Sequence, residues 1–87
     1  MKKVSVIVVN WNGKGILFRC LQSLIKQDYK DLEIWVSDNG SDDGSQAMVR
    51  EFYPTVYLLE NGQNLGFGPA VNRVLKKAEG NYFLFLK

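Results

Sequence analysis

Residues 4–9 (VSVIVV) form a short, β-branched and almost continuously apolar run, the pattern of a strand covered on both faces and here predicted to be the central one. Ile16, Leu17, Cys20, Leu21, Leu24 and Ile25 then recur at helical spacing. They predict a helix ending near Gln27, with one wide apolar stripe lying on the sheet. Residues 32–37 read as a second strand, and 43–46 (DGSQ) have the spacing of a capping box. That box would open a helix through Met48, Val49 and Phe52, which Pro54 stops. A third strand is predicted over 56–59, followed by a loop over 60–68 and a helix with Ala70, Val71, Val74, Leu75 and Ala78 inward. Gly80 is assigned as the C′ glycine of that helix, and residues 82–86 (YFLFL) as a fourth, buried strand.

Three times the chain passes from an apolar run through a polar Gly/Asn-rich loop into a helical period. This predicts an α/β fold: a Rossmann-like open parallel sheet with crossover helices. A length of 87 residues holds one domain, and 46% hydrophobic with 23% charged residues is globular composition. The fourth strand meets the end of the chain at Lys87 without a turn or polar tail. Residues 1–87 are therefore expected to be one domain cut after that strand, its open edge covered by a continuation or by a homo-oligomer formed through it.

Eleven Lys plus Arg against nine Asp plus Glu give a charge of +2 with little clustering, so no nucleic-acid partner is expected. One cysteine and no histidine remove internal disulfides, the usual zinc clusters and every His-based triad. The longest apolar runs fall far short of a membrane span. The expectation is a cytoplasmic protein, able to work at the inner membrane face through other parts.

In an open parallel sheet ligands sit beyond the carboxyl ends of the strands, and the three polar clusters fall there. Asn10, Trp11, Asn12 and Gly13 follow strand one. They are either a tight turn with a packed aromatic, or a flat stacking face with amides for hydrogen bonding. Asp42 and Asp43 read as capping and solvated carboxylates. Asp38, at the end of strand two, can accept the N3–H of uracil or thymine. The glycines of the third loop either allow close approach to a ligand or only tighten a turn. An EF-hand spacing from Asn39 fails at Arg50, and neither a P-loop nor a G-x-G-x-x-G fingerprint is present. Cys20 lies on the apolar stripe as an inert thiol.

Taken together, residues 4–13 (VSVIVVNWNG), 37–44 (SDNGSDDG) and 64–72 (NLGFGPAVN), with 78–82 (AEGNY), resemble the opening of family 2 glycosyltransferases with the GT-A fold, closest to the rhamnosyltransferase-like branch. The resemblance covers essentially the whole chain. It implies an inverting enzyme that moves a sugar from a UDP- or dTDP-linked donor to a saccharide or lipid-linked hydroxyl, in polysaccharide or cell-wall biosynthesis. By matched position it assigns Asn10, Trp11, Asn12, Asp38, Asn39, Gly66 and Phe67 to the nucleotide, with Gly66 standing where some members carry arginine. It also implies a divalent metal, magnesium or manganese, whose ligands come after a strand like 82–86, and a general base further on. The 87-residue chain by itself is thus expected to bind nucleotide and to transfer nothing. A non-catalytic α/β binding or interaction module is the competing reading, and a flavodoxin-like one ranks last.

Overall fold

In the computed structural model, which describes residues 3–27, 30–80 and 82–86, the β-branched run builds strand β1 (Val4–Asn10) and the next apolar run builds β2 (Leu32–Asp38). Helix α1 (Lys14–Ile25) joins them, and α2 (Ser45–Phe52), β3 (Tyr57–Glu60), α3 (Phe67–Leu75) and β4 (Tyr82–Leu86) follow. All pairings are parallel, in the order β3-β2-β1-β4. Parallel neighbours cannot be joined by a hairpin, and the helices supply the crossovers. This is the Rossmann-like open parallel sheet that the hydropathy pattern predicts. Asn10 pairs with Asp38 and Asp38 with Glu60, so three strands end on one line.

Alternation along the strands splits the core in two. Val6, Val8, Ile34 and Val36 pack against Leu17 and Leu21 of α1 and Met48 and Val49 of α2. Ile7 and Trp35 pack on the other face against Val71 and Val74 of α3. At about 1.5–3 kcal/mol for each buried aliphatic side chain, these two layers dominate the stability of so short a chain.

Several local expectations are corrected. The α1 stripe is narrower than its periodicity implied, because Ile16 (71% exposed) and Ile25 (47%) flank the sheet contact made by Leu17 and Leu21. Phe52 points outward, its ring set edge-to-face with that of Phe18. β3 begins at Tyr57, with Val56 buried just before it. β4 is an edge strand whose Phe83 and Phe85 are exposed, because α3 covers β1 and β2 and leaves that side of the sheet bare. Asn81, within the 78–82 run, lies outside the described residues, as does Lys87.

The capping box does not form. Gly44, in left-handed conformation, is the N-cap of α2, and Gln46 turns away to Asp38 and Ser41. Gly80 is not a C′ glycine either, since α3 closes at Lys76. It is needed for close approach. A Cβ there would overlap Ser5 Oγ and come within 2.8 Å of Ser5 N.

That approach belongs to a buried polar group. The Ser5 hydroxyl donates to Glu33 Oε2 at 2.5 Å, Glu79 N–H donates to the same oxygen at 3.1 Å, and Gly80 N–H donates to Ser5 Oγ at 3.0 Å. Burial by itself would raise the Glu33 pKa. The Ser5 hydroxyl and Glu79 N–H, with smaller help from the nearby Trp35 indole and Lys3 charge, outweigh it and hold the carboxyl below its ordinary value.

Two predictions follow from this bolt. Gly80→Ala should destabilise the chain by about 2 kcal/mol, whereas Gly15→Ala, where a Cβ meets nothing within 4 Å, should be neutral or gain about 0.5 kcal/mol. Urea denaturation of both variants checks this, and equal midpoints would refute the close approach. Because folding lowers the Glu33 pKa, its stabilisation is complete above the unfolded value and is lost as pH falls through the folded one. Melting curves from about pH 6 to pH 3 should fall less steeply for Glu33→Gln than for the parent.

Candidate functional site

The strand ladder runs one step beyond the sheet, Asn39 N–H donating to Asn10 O and Asn61 N–H to Asp38 O, both at 2.8 Å. Asp38 is 1% exposed. A carboxylate so buried requires donors, and it has four. Oδ1 accepts from Asn10 Nδ2 (2.9 Å) and Ser41 Oγ (2.7 Å), and Oδ2 accepts from Ser41 N–H (2.9 Å) and Gln46 Nε2 (2.7 Å). Asn10 gives its amide to Asp38 and to Ser41 Oγ, which fixes that side chain with its own oxygen on the opposite side. Ser41 Oγ also accepts Asn12 N–H, and Asn12 Oδ1 accepts Asp42 N–H, each at 2.8 Å. Asn12 adopts φ +51°, a left-handed geometry that asparagine tolerates. The first and second loops are thereby stitched together.

Asp43 joins the two helices behind them. Its carboxylate accepts Lys14 N–H at the start of α1 and Ser45 N–H at the start of α2, both at 3.0 Å, together with the Ser45 hydroxyl. Burial pushes its pKa up, but the Ser45 hydroxyl and these backbone donors push it down further, so it stays below its ordinary value. This is the capping role expected of it, extended to a second helix.

Asn39 serves the opposite side of the rim. Its Oδ1 accepts from Asn61 Nδ2 at 2.8 Å, while its Nδ2 donates to Asn64 Oδ1 at 3.3 Å and Gly66 O at 3.1 Å. Between the first and third loops lies a cleft of ≈ 340 Å³, walled by Asn10, Trp11, Asn39, Asn64, Gly66 and Phe67 over a floor that includes Val8, Leu17 and Cys20. It stands above β1, between β2 on one side and β4 on the other, where the strand order reverses. Trp11, 57% exposed, offers a broad aromatic surface on one wall. Burial pushes the Cys20 thiol up, which suits an inert floor residue.

Five of the seven candidate residues (Asn10, Trp11, Asn39, Gly66 and Phe67) thus line one cleft, while Asn12 and Asp38 lie behind it as supports. Sequence reasoning missed Ser41, Gln46, Asn61 and Asn64. Their signal was present only as loop composition, and Gln46 was absorbed by the capping-box spacing. A second cleft of ≈ 270 Å³, lined in part by Lys3, Glu33, Thr55 and Tyr57, lies at the amino ends of the strands, away from the loops. Among the described residues no three His, Cys, Asp or Glu side chains gather to hold a metal ion. No helix among them is long and apolar enough to cross a membrane.

An open parallel sheet with crossover helices and a cleft above its switch point defines a Rossmann-like α/β fold. The chain belongs to glycosyl transferase family 2, whose family model matches residues 5–86. It is 36% identical to glycosyltransferase GlyA of Streptococcus pneumoniae, over 97% of this chain and 12% of that protein. It is 39% identical to the N-acetylglucosaminyl-diphospho-decaprenol L-rhamnosyltransferase of Mycobacterium tuberculosis, over 80% of this chain and 23% of that one. The structure superposes with a TM-score of 0.85 on the mannosyltransferase PcManGT from Pyrobaculum calidifontis, solved with GDP-Man and Mn2+, at 31% identity, covering 94% of this chain and 26% of that one. The sheet is therefore that of the GT-A glycosyltransferases, and the chain spans about a quarter or less of these relatives.

The donor set around Asp38 makes a direct test of the rim possible. Asp38→Asn, which replaces one acceptor oxygen by an amide facing existing donors, should cost about 2–3 kcal/mol, while Asp42→Ala on the exposed side of the loop should stay within about 0.5 kcal/mol. Chemical denaturation of the two variants measures the difference.

Proposed function

We propose that this chain forms the donor-nucleotide part of an inverting glycosyltransferase, which moves a sugar from a UDP- or dTDP-linked donor to a saccharide or lipid-linked hydroxyl in polysaccharide or cell-wall synthesis. The observation that carries this reading is the cleft above β1, within the size range of small-molecule sites and walled by Trp11 and Phe67. An aromatic face takes a base by stacking, and the fixed Asn10 side chain presents an acceptor oxygen for an imide N–H. Asp38 acts through Asn10, because its carboxylate determines which way that amide faces. For Asp38 to receive the base itself, Asn10 or Gln46 would first have to leave it.

Family membership and the manganese-bound mannosyltransferase neighbour support a divalent ion in the whole enzyme. Its ligands, the general base and the acceptor site belong, in this reading, to the portion of the longer family enzymes that this chain does not span. The decaprenol-linked sugar in the name of the mycobacterial relative supports a lipid-linked acceptor met at the inner face of the membrane.

The test is an amide NMR titration of the chain with UDP, dTDP, ADP and GDP. Pyrimidine diphosphates should shift Trp11, Asn39 and Phe67, and Trp11→Ala should weaken binding about tenfold, the lower part of the range for one lost base stack. Indifference to all four nucleotides would favour the non-catalytic module.

A further inference from the structure

Arg73 stands on the exposed face of α3 outside the cleft, yet a chain of amides joins it to the cleft wall with its polarity fixed at every step. A guanidinium offers donors only. Its Nη1 donates to Asn61 Oδ1 at 2.8 Å, which turns the Asn61 amide nitrogen toward Asn39 Oδ1 (2.8 Å) and Ser37 Oγ (2.9 Å). The Ser37 hydroxyl already donates to Ala70 O at 3.0 Å, so its oxygen is left to accept. Ala70 and Arg73 are three residues apart on α3, and one helix therefore fixes Asn61 from both ends.

With its oxygen occupied, Asn39 must direct its nitrogen to Asn64 Oδ1 and Gly66 O. Asn64 Oδ1 accepts Gly66 N–H as well, at 3.0 Å. Gly66, at φ +83° on the N-cap of α3, is thus held by both its N–H and its carbonyl. A single reversed amide would bring two oxygens face to face at the next link, and the cost of an unmade, partly buried hydrogen bond would fall on the cleft wall.

We propose that Arg73 is a positioning residue: it sets the direction of the Asn61–Asn39–Asn64 amide chain and so holds Gly66 and Phe67 in the shape that receives the nucleotide. This rests on the donor-site reading of the cleft. The experiment compares Arg73→Lys, Arg73→Met and Arg73→Glu in the 15N-labelled chain, following the Gly66 and Phe67 backbone amides and the Asn39 and Asn61 side-chain amides. Lysine, still a donor, should leave them near the parent positions. Methionine should move them, and glutamate, an acceptor that inverts the chain, should move them furthest, with Asn10, Ser41 and Gln46 unmoved. Affinity for UDP or dTDP should fall in the same order, about threefold for Met and about tenfold for Glu.

Equal shifts for Met and Glu, or failure of Lys to rescue, would overturn the proposal. A parent chain that binds no nucleotide would defeat the donor-site reading, and the Gly66 pattern would still decide whether the relay exists. If Arg73→Glu does not fold, Asn61→Asp keeps the contact with Arg73 but sets an oxygen against Asn39 Oδ1. It should displace Gly66 in the same way, and an unmoved Gly66 would refute the relay.

Discussion

A buried carboxylate at the end of a parallel strand imposes its needs on everything around it, and Asp38 is the residue on which this rim depends. Its four hydrogen bonds come from β1, the β2–α2 loop and α2, so three separate segments converge to satisfy one side chain. The consequence is geometric. Asn10 has no freedom to rotate, Ser41 is drawn in to serve Asp38, Asn10 and Asn12 together, and the first loop is held against the second. Preorganisation of this kind lowers the ordering cost that a ligand would otherwise meet.

Asp38 and Asn39 are consecutive, and they divide the rim between them. Asp38 gathers the β1 side, while Asn39 gathers β3 and the loop into α3 through Asn61, Asn64 and Gly66. The cleft lies where these two territories meet, above β1 at the reversal of strand order. Its walls are aromatic and amide, its floor is apolar, and the carboxyl groups nearby are used in holding the frame. Asp43, shared between the starts of α1 and α2, is the clearest case of a charge with a structural task.

The strands, helices and parallel order were legible because period and β-branching report burial directly, and the three loops were legible as a set because each follows a strand. What escaped were contacts whose partners are distant in sequence. Gln46 satisfied a four-residue capping spacing, but the buried Asp38 eight residues earlier made the stronger demand on its amide. Gly80 looked like a helix stop, yet the closeness of Ser5, seventy-five residues away, is what excludes a side chain there. Ile16 and Ile25 fitted the α1 stripe, but they lie at its two margins, turned from the face that Leu17 and Leu21 press on the sheet. Trp11 could be read as either packed or open, and only the placement of the loops around one cleft decides it.

The same logic explains how the strand ends come to be aligned at all. Along the β1–β2 register, Ser5 pairs with Glu33 and Asn10 with Asp38, and both pairs are bonded side chain to side chain. Of the four pairs between them, Val6 with Ile34, Ile7 with Trp35 and Val8 with Val36 are apolar and would accept other pairings, and Val9 with Ser37 carries one hydroxyl. A slip of one residue would send every side chain to the opposite face and leave two buried carboxylates among aliphatic neighbours. The apolar centre thus supplies the attraction, while the two polar pairs select one register out of several. Because that register brings Asn10 beside Asp38, selection of the fold and construction of the cleft rest on the same hydrogen bonds.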